Sequence, residues 1–428
     1  MLRNTAIGLF ALVALGGCAA VTPPPDQASG TVDPARIDAA LRPFAEAGKL
    51  VGASALVTQN GKEVYFGAFG YADREAGRAM ARDTIVQIYS MTKPITGVAL
   101  MTLWEQGKFR LDDPVAKYIP ELAGVKVYTA DAAGKPVLVA PDRPMTIRDL
   151  ARHTAGLTYC GNDMLPALKP LCDAAKPLAL ENTLDQFAQK LGTLPLEYQP
   201  GTQWKYSFAV DVQALLVQRL SGKPFDQYVR ETILEPLHMT DTGFYVPPEK
   251  QNRLAALYDW NPDGAPIRQP DDKAFRLNTH HWPLTPGGFG LTSTLDDYTR
   301  FARMLVNGGE LDGVRILKPS TIRLMSTSVL DPAITDRIWL PTDKGEVGFG
   351  IDFAVRIAPP SQPTEKAGEV GEFFWDGAAY TLFWIDPKNK LTAVFFSQLM
   401  PFGKVPAHKA FRDAVYEGVD PTALPPKP

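Results

Sequence analysis

The chain of 428 residues is 45% hydrophobic and 21% charged, and its net charge is −3. This composition is typical of a globular protein that buries a large core, as one big domain or as one domain with an insertion. Because no basic stretch is present to attract nucleic acid, we expect a small, mostly uncharged substrate and no nucleic-acid partner.

The N-terminus has the pattern of a signal peptide over residues 1–17. Arg3 gives it a positive start, and Ala6–Leu15 forms an apolar run that is too short to span a bilayer. The segment ends in Leu-Gly-Gly-Cys18, which looks like a bacterial lipobox, so we expect cleavage before Cys18 and a lipid on that cysteine. The alternative is a plain secretory signal that is cleaved after Ala20.

Residues 18–32 contain three consecutive prolines and small polar residues, which predicts a tether between lipid and domain. A lipid anchor holds a protein on a membrane without a spanning helix, so the sequence predicts a lipoprotein of the bacterial cell envelope that faces the periplasm. Export would place Cys160 and Cys172 in an oxidising compartment. Their positions leave open a loop-closing disulfide or two free buried thiols.

From Asp33 onward the sequence predicts a helix followed by strands. Asp33-Pro34 has the chemistry of a helix N-cap with proline in the first helical position, and Asn60-Gly61 has that of a tight hairpin. The predicted elements are, in chain order, a helix over residues 34–49, strands over 51–58, 63–69 and 85–89, and a helix over 94–106.

The middle of the chain, roughly residues 111–306, has the pattern of helical segments with proline-rich joints and one hairpin. Strand patterns return towards the C-terminus. The predicted elements are a hairpin over 125–139, helices over 209–220 and 295–306, strands over 373–385 and 391–398, and a helix over 407–416. We therefore expect one α/β domain of the α+β type over residues 33–428. Its antiparallel sheet would be flanked by helices and would carry a large helical insertion.

The stretch Ser90-Met91-Thr92-Lys93 lies at the start of a predicted helix. A serine hydroxyl needs a neighbouring base to become a nucleophile, and residues three apart share a helix face. The helix start offers N–H groups and positive potential to an oxyanion, and burial would lower the pKa of Lys93. This is the S-x-x-K arrangement of β-lactamases and penicillin-binding proteins. The alternative is a capping serine with a solvated lysine.

Two further motifs carry candidate chemistry. Tyr206, in Lys-Tyr-Ser-Phe-Ala-Val-Asp, can act as a general base if cations hold it partly as phenolate, and otherwise is a core tyrosine. The segment Phe374–Thr381 is rich in small residues, and the N–H of Ala378 could pair with that of Ser90 as an oxyanion hole. Its glycine could equally mark a strand bulge.

With these motifs the chain resembles the serine hydrolases of the class C β-lactamase family, and most closely its esterase branch, the family VIII carboxylesterases. The resemblance covers nearly everything after the tether. It rests on Ser90–Lys93, Leu150–Leu157, Tyr206–Phe208, Pro286–Leu291, Trp375–Gly377 and Phe383–Pro387.

The resemblance implies a β-lactamase/transpeptidase-like fold and a role for each motif. Ser90 would attack, Lys93 and Tyr206 would manage the proton, and the N–H groups of Ser90 and Ala378 would bind the oxyanion. We expect the substrate site to be lined by Phe208, Gly288, Trp375, Asp376, Gly377 and Tyr380. No cofactor is required, and no metal site is expected because the five histidines are scattered and no Cys or His cluster has ligand spacing.

Departures from the lactamase pattern narrow the expected substrate. Class C lactamases carry Tyr-x-Asn and Lys-Thr-Gly, whereas this chain has Phe208 and Trp375 in place of the amide and the lysine. A carboxylated β-lactam would lose charge-assisted hydrogen bonds worth roughly 1.5–3 kcal/mol each, and a neutral ester would not. Asp376 departs from the glycine usual in the esterase branch. It could repel carboxylates, attract cations or be a solvated strand residue.

His153 has two interpretations, as the histidine of a Ser-His-Asp triad or as a buried structural residue, and the resemblance implies the second. The sequence thus predicts a serine hydrolase that cleaves small carboxylic esters through an acyl-Ser90 intermediate. One alternative uses the same serine on β-lactams or D-amino-acid peptides. Another is a non-catalytic envelope protein that binds peptidoglycan or a partner in the cleft. The oligomeric state is left open.

Overall fold

In the computed structural model of the chain, the structure describes Met1 and residues 30–133, 135–161, 163–335, 337–338 and 342–419. The predicted signal peptide beyond Met1, the lipidation site at Cys18 and the tether up to residue 29 lie outside the described residues. Within the described ranges, no helix combines the length and the apolar character that crossing a bilayer requires.

Helices occur along the whole described chain. They are α1 Pro34–Glu46, α2 Thr92–Glu105, α3 Ile147–Ala151, α4 Lys169–Ala175, α5 Leu184–Leu191, α6 Ala209–Ser221, α7 Phe225–Val229, α8 Asp271–Ala274, α9 Arg276–Thr279, α10 Leu295–Val306, α11 Pro319–Met325 and α12 Ala407–Val419.

Strands are long at the two ends of the chain and short in the middle. They are β1 Gly52–Gln59, β2 Lys62–Asp73, β3 Arg78–Ala79, β4 Val86–Gln87, β5 Val127–Ala130, β6 Pro136–Val139, β7 Trp204–Lys205, β8 Tyr258–Trp260, β9 Pro266–Arg268, β10 Thr292–Ser293, β11 Glu310–Leu311, β12 Val314–Arg315, β13 Arg337–Ile338, β14 Val347–Phe349, β15 Ala354–Arg356, β16 Phe373–Gly377, β17 Thr381–Asp386, β18 Leu391–Phe396 and β19 Leu399–Met400.

The main sheet is antiparallel and draws its strands from both ends of the chain. Its order in the described residues is β14-β15-β16-β17-β18-β1-β2-β3. The two ends meet where β1 pairs with β18, with Leu56 opposite Val394. The strands between β4 and β13 belong to small separate sheets, and most of the helices lie in this part of the chain. The predicted α+β fold, an antiparallel sheet with a helical insertion, is confirmed.

Helices cover both faces of the sheet. Successive side chains of a strand point to opposite faces. On β17 the ring of Phe383 lies 5.0 Å from Tyr298 of α10, whereas the next ring, Trp384, lies 5.1 Å from Phe411 of α12. Every residue of β17 and β18 is buried, which explains why the sequence shows these strands as unbroken apolar runs.

The predicted elements differ from the structure mainly at one place, the segment over residues 373–385. The sequence predicted a single strand here, but the structure has two strands, β16 and β17, joined by a turn at residues 378–380. Tyr380 adopts a φ of 63° in this turn, a left-handed conformation that is uncommon for an aromatic residue. Ala378 therefore begins a turn and does not lie inside a strand.

Candidate active site

Ser90 lies in a 3₁₀ turn, Tyr89–Met91, directly before α2. The N-cap position of α2 is occupied by Met91, and the cap has no side-chain hydrogen bond. Tyr89 has a φ of 44°, so the chain turns sharply as it presents Ser90. The half-buried hydroxyl of Ser90 does not cap this helix, which contradicts the alternative of a capping serine.

Lys93 lies in the first turn of α2 and is only 2% exposed, so it is not a solvated lysine. Its Nζ donates hydrogen bonds to Ser90 Oγ at 3.3 Å and to the Gly288 carbonyl at 2.6 Å. Burial lowers the pKa of Lys93 to about 8, and the carboxylate of Asp211 partly opposes this shift. Burial thus favours the neutral amine, the form that can accept a proton from Ser90.

Tyr206 connects β7 to α6 and completes the group around the serine. Its ring lies 4.4 Å from Lys93 Nζ, and its hydroxyl accepts a hydrogen bond of 3.1 Å from Trp375 Nε1. Burial raises the pKa of Tyr206 well above its usual value, although hydrogen bonds with Ser90 and Trp375 oppose the shift. Burial thus favours the neutral form of both proton-handling candidates, the amine of Lys93 and the phenol of Tyr206.

The loop that contains Gly287 and Gly288 fixes the lysine from the other side. The N–H of Gly288 donates to Asp211 Oδ1 at 2.8 Å, while its carbonyl accepts from Lys93. A Cβ at position 288 would lie 2.8 Å from Asp211 Oδ2 and 3.0 Å from the Tyr159 hydroxyl, so only glycine fits without displacing these groups. Gly288 therefore contacts the catalytic candidates through its backbone.

Asp211 and Tyr159 belong to this site, although sequence reasoning assigned them no role. Asp211 is fully buried in the first turn of α6, and burial raises its pKa to about 6, while the Lys93 ammonium opposes the shift. A charged residue within an apolar helix pattern was the signal that could have revealed it. The ring of Tyr159 lies 5.6 Å from that of Tyr206 and 5.7 Å from Lys93 Nζ.

The end of β16 lies against the turn that carries Ser90. A Cβ at Gly377 would lie 2.3 Å from the carbonyl oxygen of Ile88, and Thr381 Oγ1 donates to the same oxygen at 3.2 Å. The backbone at Gly377 and Ala378 is therefore packed directly beside the segment that leads into Ser90. The structure thus brings the N–H groups of Ser90 and Ala378 onto adjoining stretches of backbone.

Two residues expected to line the substrate site lie elsewhere. Phe208 is 2% exposed and packs edge-on against Tyr159, with ring centroids 4.9 Å apart. It therefore packs beneath Tyr159 and does not line the substrate site. Tyr380 is 1% exposed, and its hydroxyl donates to the Val405 carbonyl at 2.9 Å. Its ring lies 5.4 Å from that of His408 in α12, which assigns Tyr380 to the core.

Asp376 is not a solvated strand residue, because it forms an ion pair with Lys344. The Lys344 Nζ lies 2.5 Å from Asp376 Oδ2 and 4.5 Å from the ring centroid of Trp375. Burial alone would raise the pKa of Asp376, but the charges of Lys344 and Lys366 hold it below its usual value. Nothing in the sequence indicated this pairing, because Lys344 comes from a separate segment.

His153 is fully buried, and its Nδ1 lies 3.2 Å from Ser207 Oγ. Its carbonyl accepts hydrogen bonds from the Lys205 N–H at 3.0 Å and the Tyr198 hydroxyl at 3.2 Å. Burial, together with the positive charge of Lys93, lowers its pKa well below the usual value, so the ring is neutral. These contacts describe a structural histidine whose hydroxyl partner is Ser207.

Cys160 and Cys172 are joined by a disulfide, with Cα atoms 5.6 Å apart. The bond ties the residue after Tyr159 to helix α4, and so holds one wall of the site. In the part of the chain that the structure describes, no group of three or more His, Cys, Asp or Glu side chains could hold a metal ion.

Comparisons with known proteins identify the family of the chain. The sequence matches the Beta-lactamase family profile over residues 37–417. Protein Rv1367c of Mycobacterium tuberculosis is 38% identical over 373 residues, which cover 85% of this chain and 89% of that protein. Esterase EstB of Burkholderia gladioli is 27% identical over 399 residues, covering 89% and 95%. The solved structure of EstCE1, "a hydrolase with promiscuous acyltransferase activity", superposes with a TM-score of 0.73 at 26% identity, covering 89% and 98%.

Proposed function

The chain belongs to the β-lactamase family, and we propose that it is a serine carboxylesterase that cleaves small neutral esters through Ser90. The observation that carries this proposal is the contact of a buried lysine amine, whose pKa is about 8, with the serine hydroxyl at 3.3 Å. The similar proteins EstB and EstCE1, an esterase and a hydrolase by name, support the reaction class.

The proposed first half-reaction forms an acyl-enzyme. Neutral Lys93 accepts the proton of Ser90 as its Oγ bonds to the ester carbonyl carbon, and the N–H groups of Ser90 and Ala378 hold the oxyanion. The tetrahedral intermediate then expels the alcohol oxygen, which takes a proton delivered by Lys93 through the Tyr206 hydroxyl. Tyr206 relays this proton as a neutral phenol, since burial raises its pKa.

The second half-reaction releases the acid. A water molecule gives a proton to Lys93 as its oxygen attacks the acyl carbon, and collapse of the intermediate returns that proton to Ser90 Oγ. Water and ester are consumed, and one acid and one alcohol are formed. An alcohol in place of water would give acyl transfer. This second outcome is worth testing, because the similar hydrolase EstCE1 has promiscuous acyltransferase activity.

The polar groups of the site favour neutral esters over β-lactams. Trp375 Nε1 is engaged with the Tyr206 hydroxyl, and the ammonium of Lys344 is engaged with Asp376. Phe208 offers no amide to a substrate. A β-lactam carboxylate would therefore find no free cation among these groups. The competing functions are hydrolysis of D-amino-acid peptides and non-catalytic binding, and experiments must distinguish them from ester hydrolysis.

Labelling and substituted variants test the proposal. We expect a fluorophosphonate probe to label the wild type at Ser90, and p-nitrophenyl butyrate to be hydrolysed with a higher kcat/KM than nitrocefin. Ser90→Ala should abolish turnover, and Lys93→Ala and Tyr206→Phe should each reduce kcat by about a hundredfold or more. Ser320→Ala, at an exposed serine of α11, is the matched control. Absence of labelling in folded wild type would contradict the enzyme assignment.

We also propose that Cys18 carries a lipid that anchors the protein in the cell envelope, facing the periplasm. The support is the apolar run that ends at this cysteine and the proline-rich segment after it. Metabolic labelling with a palmitate analogue should mark the wild type and not Cys18→Ala, and the variant should leave the membrane fraction. Equal labelling of both proteins would contradict the anchor.

A further inference from the structure

The ion pair of Lys344 and Asp376 lies at a strand edge beside the proposed active site. Strand β15 pairs with β16 only at Phe373 and Phe374, so the edge of β16 from Trp375 onward is not covered by β15. The Lys344 side chain lies against this edge, 4.5 Å from the ring centroid of Trp375. Trp375 in turn donates to Tyr206.

The two charges of this pair are unequally accessible. The Asp376 side chain is 17% exposed and that of Lys344 only 2%, and their charged atoms are 2.5 Å apart. The carboxylate is therefore the more exposed member of the pair. Because it already holds the Lys344 ammonium, a carboxylate of a bound molecule would have to displace it.

The charges around the pair are balanced only when Asp376 is present. Lys366 pairs with Asp343 at 2.7 Å and lies close enough to influence Asp376. The buried His408 is neutral, because burial and the charge of Lys366 lower its pKa to about 3. Two ammonium groups thus face two carboxylates, and removal of Asp376 would leave one uncompensated buried ammonium.

We propose that Asp376 is an internal counter-ion that fills a carboxylate site at Lys344, and that it thereby restricts the enzyme to uncharged acyl esters. The inference rests on the proposed function. Asp376 precedes Ala378 by two residues, so their Cα atoms are at most roughly 7 Å apart. A carboxylate separated by three methylene groups from an ester carbonyl held at Ala378 fits within such a distance. The excluded substrate class is therefore the monoester of a short dicarboxylic acid.

A matched pair of substrates tests the proposal. Mono-p-nitrophenyl glutarate is p-nitrophenyl butyrate with a carboxylate added at the end of the acyl chain. We expect the wild type to prefer the butyrate by about tenfold or more in kcat/KM. Asp376→Ala should raise kcat/KM for the glutarate by about tenfold, the size of one charge-assisted hydrogen bond, and the added Lys344→Met change should remove this gain.

Asp376→Asn provides the same test with the side-chain shape preserved, in case the alanine variant does not fold. It should shift the preference in the same direction by a smaller factor. If both Asp376 variants melt like the wild type and lower the two kcat/KM values equally, the counter-ion role is wrong. A wild type that hydrolyses both esters equally well would also overturn it.

A binding measurement separates this inference from the proposed function. In the Ser90→Ala background, monomethyl glutarate should bind Asp376→Ala at least about tenfold more tightly than the parent by calorimetry, and Lys344→Met should abolish the gain. This readout needs no turnover. If the wild type cleaves no ester but the binding gain appears, the proposed function fails and the carboxylate site stands. If the wild type cleaves esters but the Asp376→Ala change gives no gain in binding or in glutarate preference, the carboxylate site is wrong and the proposed function stands.

Discussion

The indole Nε1 of Trp375 donates a hydrogen bond of 3.1 Å to the phenol oxygen of Tyr206. Their ring centroids are 5.3 Å apart, and Trp375 is only 3% exposed. Trp375 stands where the lactamase pattern has a lysine. A neutral donor therefore contacts the tyrosine at this position, which suits an uncharged substrate.

Replacing Trp375 by phenylalanine keeps an aromatic ring and removes the donor. The hydrogen bond lowers the pKa of Tyr206, so its loss should raise that pKa further and weaken proton transfer through the phenol. We expect kcat for p-nitrophenyl butyrate to fall by about tenfold, with a much smaller change in KM. Steady-state kinetics measure both, and an unchanged kcat would show that the bond has no role in turnover.

The pH dependence of turnover should follow Lys93. Only the neutral amine can accept the serine proton, and the neutral fraction grows as the pH rises through the pKa of about 8. We therefore expect kcat/KM to increase with pH and to level off above a midpoint near this value. The measurement runs from about pH 6 to about pH 10 with correction for spontaneous ester hydrolysis. A flat profile would exclude Lys93 as the base.

Asp211→Asn should move that midpoint. The carboxylate of Asp211 raises the pKa of Lys93, so its neutralisation should lower the pKa and shift the rise in kcat/KM to lower pH by roughly one unit. The asparagine oxygen can still accept the N–H of Gly288, which keeps the loop in place. Asp226→Asn, at an exposed carboxylate of α7, is the matched control and should leave the profile unchanged.

The sequence predicted the parts of the site that depend on short spacing. Ser90 and Lys93 lie within one turn of chain, so their proximity follows from local geometry alone. Tyr206 and Gly377 are more than a hundred residues away from them, and their placement came from the family resemblance. Lys344 was missed because its partner, Asp376, lies on a different element, and nothing near either residue indicates the pairing.

The difference between local and long-range signals also explains which parts of the fold were predicted. The capped helix at Asp33 and the Asn60-Gly61 hairpin are encoded locally, and both were predicted. The break between β16 and β17 was missed because its turn, residues 378–380, lacks the Gly, Pro and Asn that usually mark a turn. Tyr380 tolerates its left-handed conformation because the core binds its ring and hydroxyl, which is a tertiary effect.

Gly377→Ala should separate β16 from the serine turn. The added Cβ would lie 2.3 Å from the Ile88 carbonyl oxygen and 2.2 Å from Thr381 Oγ1, distances that force the backbone apart. We expect the free energy of unfolding to fall by about 1–3 kcal/mol and kcat to fall by more than tenfold. Gly124→Ala meets no atom within 4 Å and is the control. Wild-type kcat in Gly377→Ala would contradict the close packing.

Removing the disulfide should affect both stability and substrate binding. Cys160 and Cys172 are separated by 12 residues, and a loop of this size restricts the unfolded chain by about 3 kcal/mol. Because the bond adjoins Tyr159, a looser segment should also raise KM more than it changes kcat. The double variant Cys160→Ser/Cys172→Ser, followed by urea unfolding and steady-state kinetics, measures both effects. Reductant should destabilise the wild type to the same level and leave the double variant unchanged. A wild type insensitive to reductant, with a double variant of equal stability, would show that the bond contributes nothing to either property.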